Sequence, residues 1–273
     1  MEKEHYLHSS NHLEGNIANG WEFKFGDYIS RGFSYTNLQI GQNLGHAFLV
    51  LVLLILTGLI PFVGSLVSSL FLSTCLLIGF STGLNHYNRN QASDYNTFWD
   101  GFKFIGPITI YGLISIAISL VVVGVLVAVL GVSIISDFME IQKNPSDREL
   151  ANQIMSSVLS KGLILAPIFI IILFLTFPMY LAPFFIVFFG MEPLAGIKAS
   201  YGLLKHNWVS GVIFIIVIGI IVSFGTLFTC GLGILYFLPV AYNMIYALFE
   251  DMTGLDREDN GPINHLNSDL LDG

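Results

Sequence analysis

The chain has 273 residues, 54% of them hydrophobic and only 11% charged, with a mean hydropathy of +0.72 and a formal net charge of −8. A soluble domain carries about 25% charged residues, so this composition excludes an ordinary water-soluble fold and fits a surface that faces lipid. The acidic balance argues against nucleic acid as a partner.

Four stretches hold no Asp, Glu, Lys or Arg: Leu44–His86, Phe104–Ser136, Gly162–Met191 and His206–Phe249. Roughly 20 apolar helical residues cross a bilayer. The first and last stretches break at turn signals, so six spans are expected. The reading is an all-α, polytopic membrane protein with six transmembrane helices in three hairpins, each preceded by an amphipathic interface helix.

In chain order, residues 1–22 read as a disordered N-terminal segment, 23–249 as the membrane domain and 250–273 as an acidic disordered tail. The polar start lacks the apolar core of a cleavable signal, so the first span is expected to direct insertion. Span one covers about 44–60. Pro61 and Gly64 make the turn into span two, about 62–85. Span three covers about 105–135, longer than the hydrocarbon requires. The loop that follows holds Asn144–Glu149, where Ser146 and Glu149 have capping-box spacing and open a short helix with Leu150, Ile154 and Val158 on one face. Span four, about 163–189, carries Pro167, Pro178 and Pro183, which kink a helix. Span five is about 208–228, with the turn at Cys230–Gly233. Span six is about 234–249 and contains Pro239.

Lys and Arg set orientation. Eight (Lys3, Lys24, Arg31, Arg89, Lys103, Lys198, Lys205, Arg257) fall on the side of the termini and three (Lys143, Arg148, Lys161) on the other. Both termini are therefore expected in the cytoplasm. From Glu250 onward seven acids face one base, which assigns −6 of the net charge to the tail. Cys75 and Cys230 lie in apolar surroundings near opposite faces, so neither a disulfide nor a metal set is expected.

A threefold pattern runs through the chain. Phe25, Tyr28, Ile29 and Phe33 share a face before span one. Tyr95, Phe98, Trp99 and Phe102 do so before span three, with Asp100 and Lys103 opposite. Leu194, Ile197, Tyr201, Leu204 and Trp208 do so before span five, where Pro193 is placed to open the helix. Such segments lie in the interface plane, aromatic side toward lipid. Phe25, Phe33, Phe98, Trp99, Phe102, Tyr201 and Trp208 are the expected interface anchors.

The segments Phe25–Phe33, Thr97–Lys103, Pro193–Ser200 and Cys230–Pro239 resemble a broad group of bacterial six-span inner-membrane proteins of uncharacterised function. That group is related to the membrane domain fused to some glycerophosphodiester phosphodiesterases. The resemblance covers about 23–249 and implies the six-span architecture and an inner-membrane location. It brings no catalytic residues, and the acidic metal site of the fused phosphodiesterase domain has no counterpart.

Chemistry narrows by exclusion. No span holds an acid, a Lys or an Arg, which disfavours ion coupling through carboxylates. No two of the seven histidines share helical ligand spacing inside a span, which disfavours a metal centre. No cofactor is expected. Ser65, Ser69, Ser73, Gly79 and Gly83 read as close helix packing. Tyr236, Tyr242 and Asn243 are the candidate polar contacts of the interior, Asn243 foremost, because an amide facing lipid is costly. The expected function is that of a non-enzymatic bundle binding membrane lipid or another membrane protein. The alternatives are a transporter of an apolar or neutral small molecule and, last, a membrane enzyme acting on lipid.

Overall fold

The computed structural model describes residues 11–92, 94–127, 156, 172 and 176–255. These are helical, with no strand among them. The chain divides into two compact units, Met1–Gly112 with Phe177–Gly273, and Leu113–Thr176. In the second unit, residues 113–126 are helical, and Thr176 Oγ1 donates to Ile172 O at 2.8 Å.

In chain order the helices are α1 (Asn11–Asn19), α2 (Phe25–Leu38), α3 (Ile40–Gly58), α4 (Val63–Asn90), a 3-10 helix (Tyr95–Phe104), α5 (Ile105–Leu126), a second 3-10 helix (Phe177–Leu181), α6 (Ala182–Phe189), α7 (Pro193–Leu204), α8 (Trp208–Phe228) and α9 (Ile234–Thr253). Within α4, Ser68–Leu72 is a π turn, and Ser73 Oγ donates to Ser68 O at 2.8 Å. Pro183 and Pro193 sit in the first turns of α6 and α7, where a missing N–H costs nothing.

Four helical segments are long and apolar enough to cross a membrane: Ile40–Gly58, Val63–Asn90, Tyr95–Gly124 and Trp208–Phe228. A fifth arises if Phe177–Phe189 and Pro193–Leu204, bent by 119°, form one span. At 1.5 Å per residue α3 is about 28 Å long, close to a hydrocarbon core of about 30 Å. The outward faces are apolar: Phe62 is 90% exposed, Phe228 79% and Leu232 74%.

Several expected boundaries move. The α8 helix has the bounds read for the fifth span, but α3 starts at Ile40, α4 runs on to Asn90 and the α9 helix continues to Thr253. Of the expected third and fourth spans, residues 128–135 and most of 163–175 lie outside the described residues, as does the Asn144–Glu149 helix. The N-terminal segment is not disordered from residue 11. The α1 helix buries Leu13, Asn16 Nδ2 donates to Met252 O at 2.9 Å, and Trp21 Nε1 donates to Leu203 O at 3.0 Å. Those carbonyls lie in the last turns of α9 and α7, where a helix cannot satisfy them itself. Nor does the tail begin at Glu250, because Glu250–Leu255 are all buried. Cys75 is buried but Cys230 is exposed, and both are free.

Three lead-in helices pack in a cyclic pattern within the first unit. The Tyr95–Phe104 helix packs most extensively on α4, the helix before it. The α7 helix packs on α6, again the helix before it. The α2 helix packs not on the short α1 before it but on α9, the last of the described helices. Each carries a glycine at the contact. A Cβ on Gly32 would lie 3.0 Å from Met244 N and Cα, one on Gly101 2.5 Å from Cys75 O, and one on Gly196 3.2 Å from Ala182 O. A hydroxyl four residues on returns to the glycine carbonyl in two of them, Thr36 to Gly32 at 2.9 Å and Ser200 to Gly196 at 2.8 Å. Phe184, Phe185, Phe188 and Phe189 of α6 surround Phe249 of α9, with ring centroids 5.0–6.0 Å apart.

Candidate functional site

The α2–α9 seam is the polar one. Its sequence basis is a basic residue followed four positions later by tyrosine, twice, seven residues apart: Lys24 with Tyr28, then Arg31 with Tyr35. Two helical turns separate the pairs, so both lie on one face. Across from them α9 offers adjacent acids. Asp251 accepts from Tyr28 OH at 2.6 Å and pairs with Lys24 Nζ at 3.2 Å. Glu250 pairs with Arg31 and accepts from Tyr35 OH at 2.9 Å, while Arg31 Nη2 also donates to Tyr35 OH at 2.7 Å. Each acid thus receives at least one base and one phenol.

Burial first, then the hydrogen bond to Asp251, push the Tyr28 phenol well above its usual range. Burial and then the facing Glu250 do the same for Tyr35. At Arg31 burial works against the charge, but Glu250 and Tyr35 outweigh it and the net direction is upward. The phenols stay protonated and the guanidinium stays charged, so the cluster is a fixed donor–acceptor array. It extends onto α4, where Asn85 Oδ1 accepts from Tyr246 OH at 3.0 Å and from Arg89 Nε at 3.3 Å.

Deeper in the same unit lies a row of neutral polar groups. Gln39 breaks the path between α2 and α3, with φ −129° and ψ 44°. Its Nε2 donates to Gly83 O on α4 at 3.4 Å. Thr36 O accepts from Asn43 Nδ2 at 3.0 Å, and Thr36 Oγ1 accepts from Asn243 Nδ2 at 2.9 Å. One turn on from Asn43, His46 is fully buried, and its Nε2 lies 2.8 Å from Leu76 O. A carbonyl can only accept, so Nε2 carries the proton of that bond. The ring is enclosed by Phe80, Phe98, Trp99 and Tyr95, at centroid distances of 4.9, 5.0, 5.8 and 6.2 Å.

The sequence-derived candidates fall in different places. Asn243 is buried and contacts Thr36. Tyr236 OH reaches the next residue, donating to Asn37 Oδ1 at 3.1 Å near the surface. Tyr242 instead packs on Phe80, with centroids 6.0 Å apart. Gly79 and Gly83 admit the Phe98 backbone and ring, as small-residue packing requires.

Among the anchors, Phe98 is 1% exposed and belongs to the core, because the 3-10 helix turns it onto Gly83. The same helix buries Asp100, which pairs with Lys103 at 2.7 Å. Asp100 therefore does not lie on a water-facing side. Phe25, Phe33, Trp99, Phe102, Tyr201 and Trp208 are half-buried. Phe25 meets Phe214, Phe33 meets Tyr236, and Tyr201 meets Trp208.

Among the described residues no group of His, Cys, Asp and Glu is arranged to hold a metal ion. No family model, curated protein or solved structure matches this chain.

Proposed function

We propose that this protein is a multi-pass component of a bacterial cytoplasmic (inner) membrane. It crosses six times in three hairpins, keeps both termini in the cytoplasm, and acts without catalysis by binding lipid or another membrane protein. One observation carries the reading. Apolar side chains such as Phe62 and Phe228 point outward, while Glu250, Asp251 and Asn85 are buried and bond to polar side chains: Glu250 to Arg31, Asp251 to Lys24 and Tyr28, Asn85 to Tyr246 and Arg89. Leaving a large apolar side chain in water forgoes about 1.5–3 kcal/mol, so these outer faces suit acyl chains. The α9 helix supplies the sixth crossing. The bias of Lys and Arg supports the orientation, and the resemblance to six-span inner-membrane proteins supports the count and the location. Extraction into native-lipid discs followed by mass spectrometry tests the binding role. A reproducibly enriched lipid class or a stoichiometric partner is expected; bulk lipid alone and no partner would refute it.

The cyclic packing of three lead-in helices favours a second reading, a transporter of an apolar or neutral small molecule. Repeat-built transporters place substrate between their repeats. Structures in more than one state, each packed solid between α4, α6 and α9, would exclude it.

A further inference from the structure

The α7 helix has three sides, of which two are covered. One packs on α6 and on the 3-10 helix before it, and buries Pro193, Gly196, Ser200 and Leu203. A second lies against α1, where a Cβ on Gly202 would meet Ile17 Cγ2 at 3.4 Å. The third carries Leu194, Lys198, Tyr201 and Lys205 at i, i+4, i+7 and i+11, which is one helix face. Lys205 is the C-cap and keeps helical dihedrals, φ −53° and ψ −32°, so it stays in register. Leu194, Lys198 and Lys205 are exposed, and Tyr201 is half-buried.

These two lysines differ from the other described bases. Lys24, Arg31 and Lys103 pair with acids, and Arg89 donates to Asn85. Lys198 and Lys205 have no acid partner among the described residues. Their charge is therefore open to a ligand from outside the chain. The same face is apolar at its edges. Leu194 is 60% exposed. Just beyond Lys205, α8 begins, and its exposed Val209, Ile213 and Ile216 continue as one outward stripe. Tyr201 and Trp208, with ring centroids 5.6 Å apart, join the two helices at the corner; such amphipathic rings favour the headgroup level. The chain turns by 119° between Phe177–Phe189 and α7, whereas α8 is long and apolar enough to span. With Phe177–Phe189 along the membrane normal, α7 lies nearer the membrane plane. Bases along the plane, beside an apolar stripe that descends into hydrocarbon, match a molecule with an anionic head and acyl chains.

We propose that the α7–α8 corner binds one anionic phospholipid of the cytoplasmic leaflet, with Lys198 and Lys205 at its phosphate and Val209, Ile213 and Ile216 along its chains. This site rests on the lipid-binding reading above and names the lipid class. The two lysine Cα atoms are about 10 Å apart along the helix, a gap that two extended lysine side chains close around one headgroup. A soluble anion would meet the charges but leave the stripe unused. A zwitterionic lipid would cover the stripe but bring no net charge to the lysines.

The test is native mass spectrometry of the full chain, delipidated in detergent and offered equal amounts of phosphatidylglycerol and phosphatidylcholine with the same acyl chains. Retention of phosphatidylglycerol in preference by about tenfold or more is expected from two bases near a membrane surface. Lys198→Gln combined with Lys205→Gln is expected to bring the two lipids to within about twofold of each other, and Lys198→Arg combined with Lys205→Arg to keep the preference. Both lysines are exposed and unpaired, so these variants are expected to unfold at the parent midpoint. Equal retention of the two lipids by the parent chain would overturn the site and leave lipid binding standing. So would a glutamine variant that keeps the full preference. Release of phosphatidylglycerol by an equal concentration of inorganic phosphate would also overturn it, and assign the lysines to a soluble anion. Retention of neither lipid would overturn the lipid-binding reading and the site with it.

Discussion

Replacing Glu250 with Gln tests the polar seam most directly. The substitution keeps shape and removes one charge. Glu250 is 4% exposed, and its donors include Arg31 and Tyr35. Removing one member of a buried pair costs about 3–5 kcal/mol, most of it from the charge left behind. Two features reduce that here. The Arg31 side chain is 21% exposed, and Asp27 lies 3.5 Å from its Nη1. A Gln side-chain oxygen can still accept from Tyr35. The expected loss is therefore about 2–3 kcal/mol, close to one charged hydrogen bond. Equilibrium unfolding in mixed micelles, followed by circular dichroism, measures it. Arg31→Met in the same background completes a double-mutant cycle, and a coupling of about 1–2 kcal/mol is expected because removing both charges strands neither. A loss under about 0.5 kcal/mol with no coupling would mean that Glu250 behaves as a solvated tail residue, and the reasoning would fail.

Gly101→Ala puts a methyl group 2.5 Å from the Cys75 carbonyl and is expected to cost about 1–3 kcal/mol by overpacking. Gly26→Ala on exposed α2 meets nothing within 4 Å and is expected to be neutral or to gain up to about 1 kcal/mol by the same unfolding assay. Alkali should weaken the fold. Tyr28 and Tyr35 have raised pKa values in the folded chain, so their contribution is complete below a pH of about 10. It falls as pH rises further, because unfolded tyrosines then ionise and folded ones do not. Tyr28→Phe should flatten the loss of stability measured between pH 9 and 11, and an unchanged slope would contradict the assignment. A maleimide should modify one thiol per folded chain, at exposed Cys230, and a second at Cys75 only on unfolding; two equally fast reactions by mass spectrometry would refute that burial pattern.

The long apolar helices were legible because their cores lack charge, and the bounds of α8 follow directly from its apolar run. The extra turn at the start of α3 was not legible, because Gln39 and Asn43 look like water-facing residues until their partners on α4 and α2 are known. Glu250 and Asp251 failed for the same reason. Read locally, two acids after an apolar run mark a water-facing tail. Burial came from bases and phenols more than 200 residues earlier. The spacing of Lys24, Tyr28, Arg31 and Tyr35 was the available signal, since two matched pairs on one face ask for two acids. Asn243 was legible as a lone amide in an apolar helix, and its bond to Thr36 answers part of the demand that its burial creates. His46 was not legible, because its aromatic enclosure comes largely from Tyr95, Phe98 and Trp99, far along the chain.

The three seams differ in what must hold them. Short connections, Asn90 to Tyr95 and Phe189 to Pro193, tether two of the lead-in helices to the helices they pack on. A short tether supplies a high effective concentration, so packing suffices at Gly196 against α6, and one hydroxyl-to-carbonyl bond, Thr82 to Thr97 at 2.7 Å, joins it at α4. The α2–α9 seam joins the first lead-in helix to the last helix, with nearly the whole chain as its loop and a larger closure entropy to offset. It is also the one free to slip in register. Both acids are buried there, so sliding α2 by one turn would strand carboxylates away from their bases and phenols, whereas an apolar seam would tolerate the shift. Concentrating ion pairs at the untethered seam therefore selects one alignment of α2 on α9. The same alignment sets Asn243 Nδ2 against Thr36 Oγ1 at 2.9 Å, a bond that a one-turn slip would break.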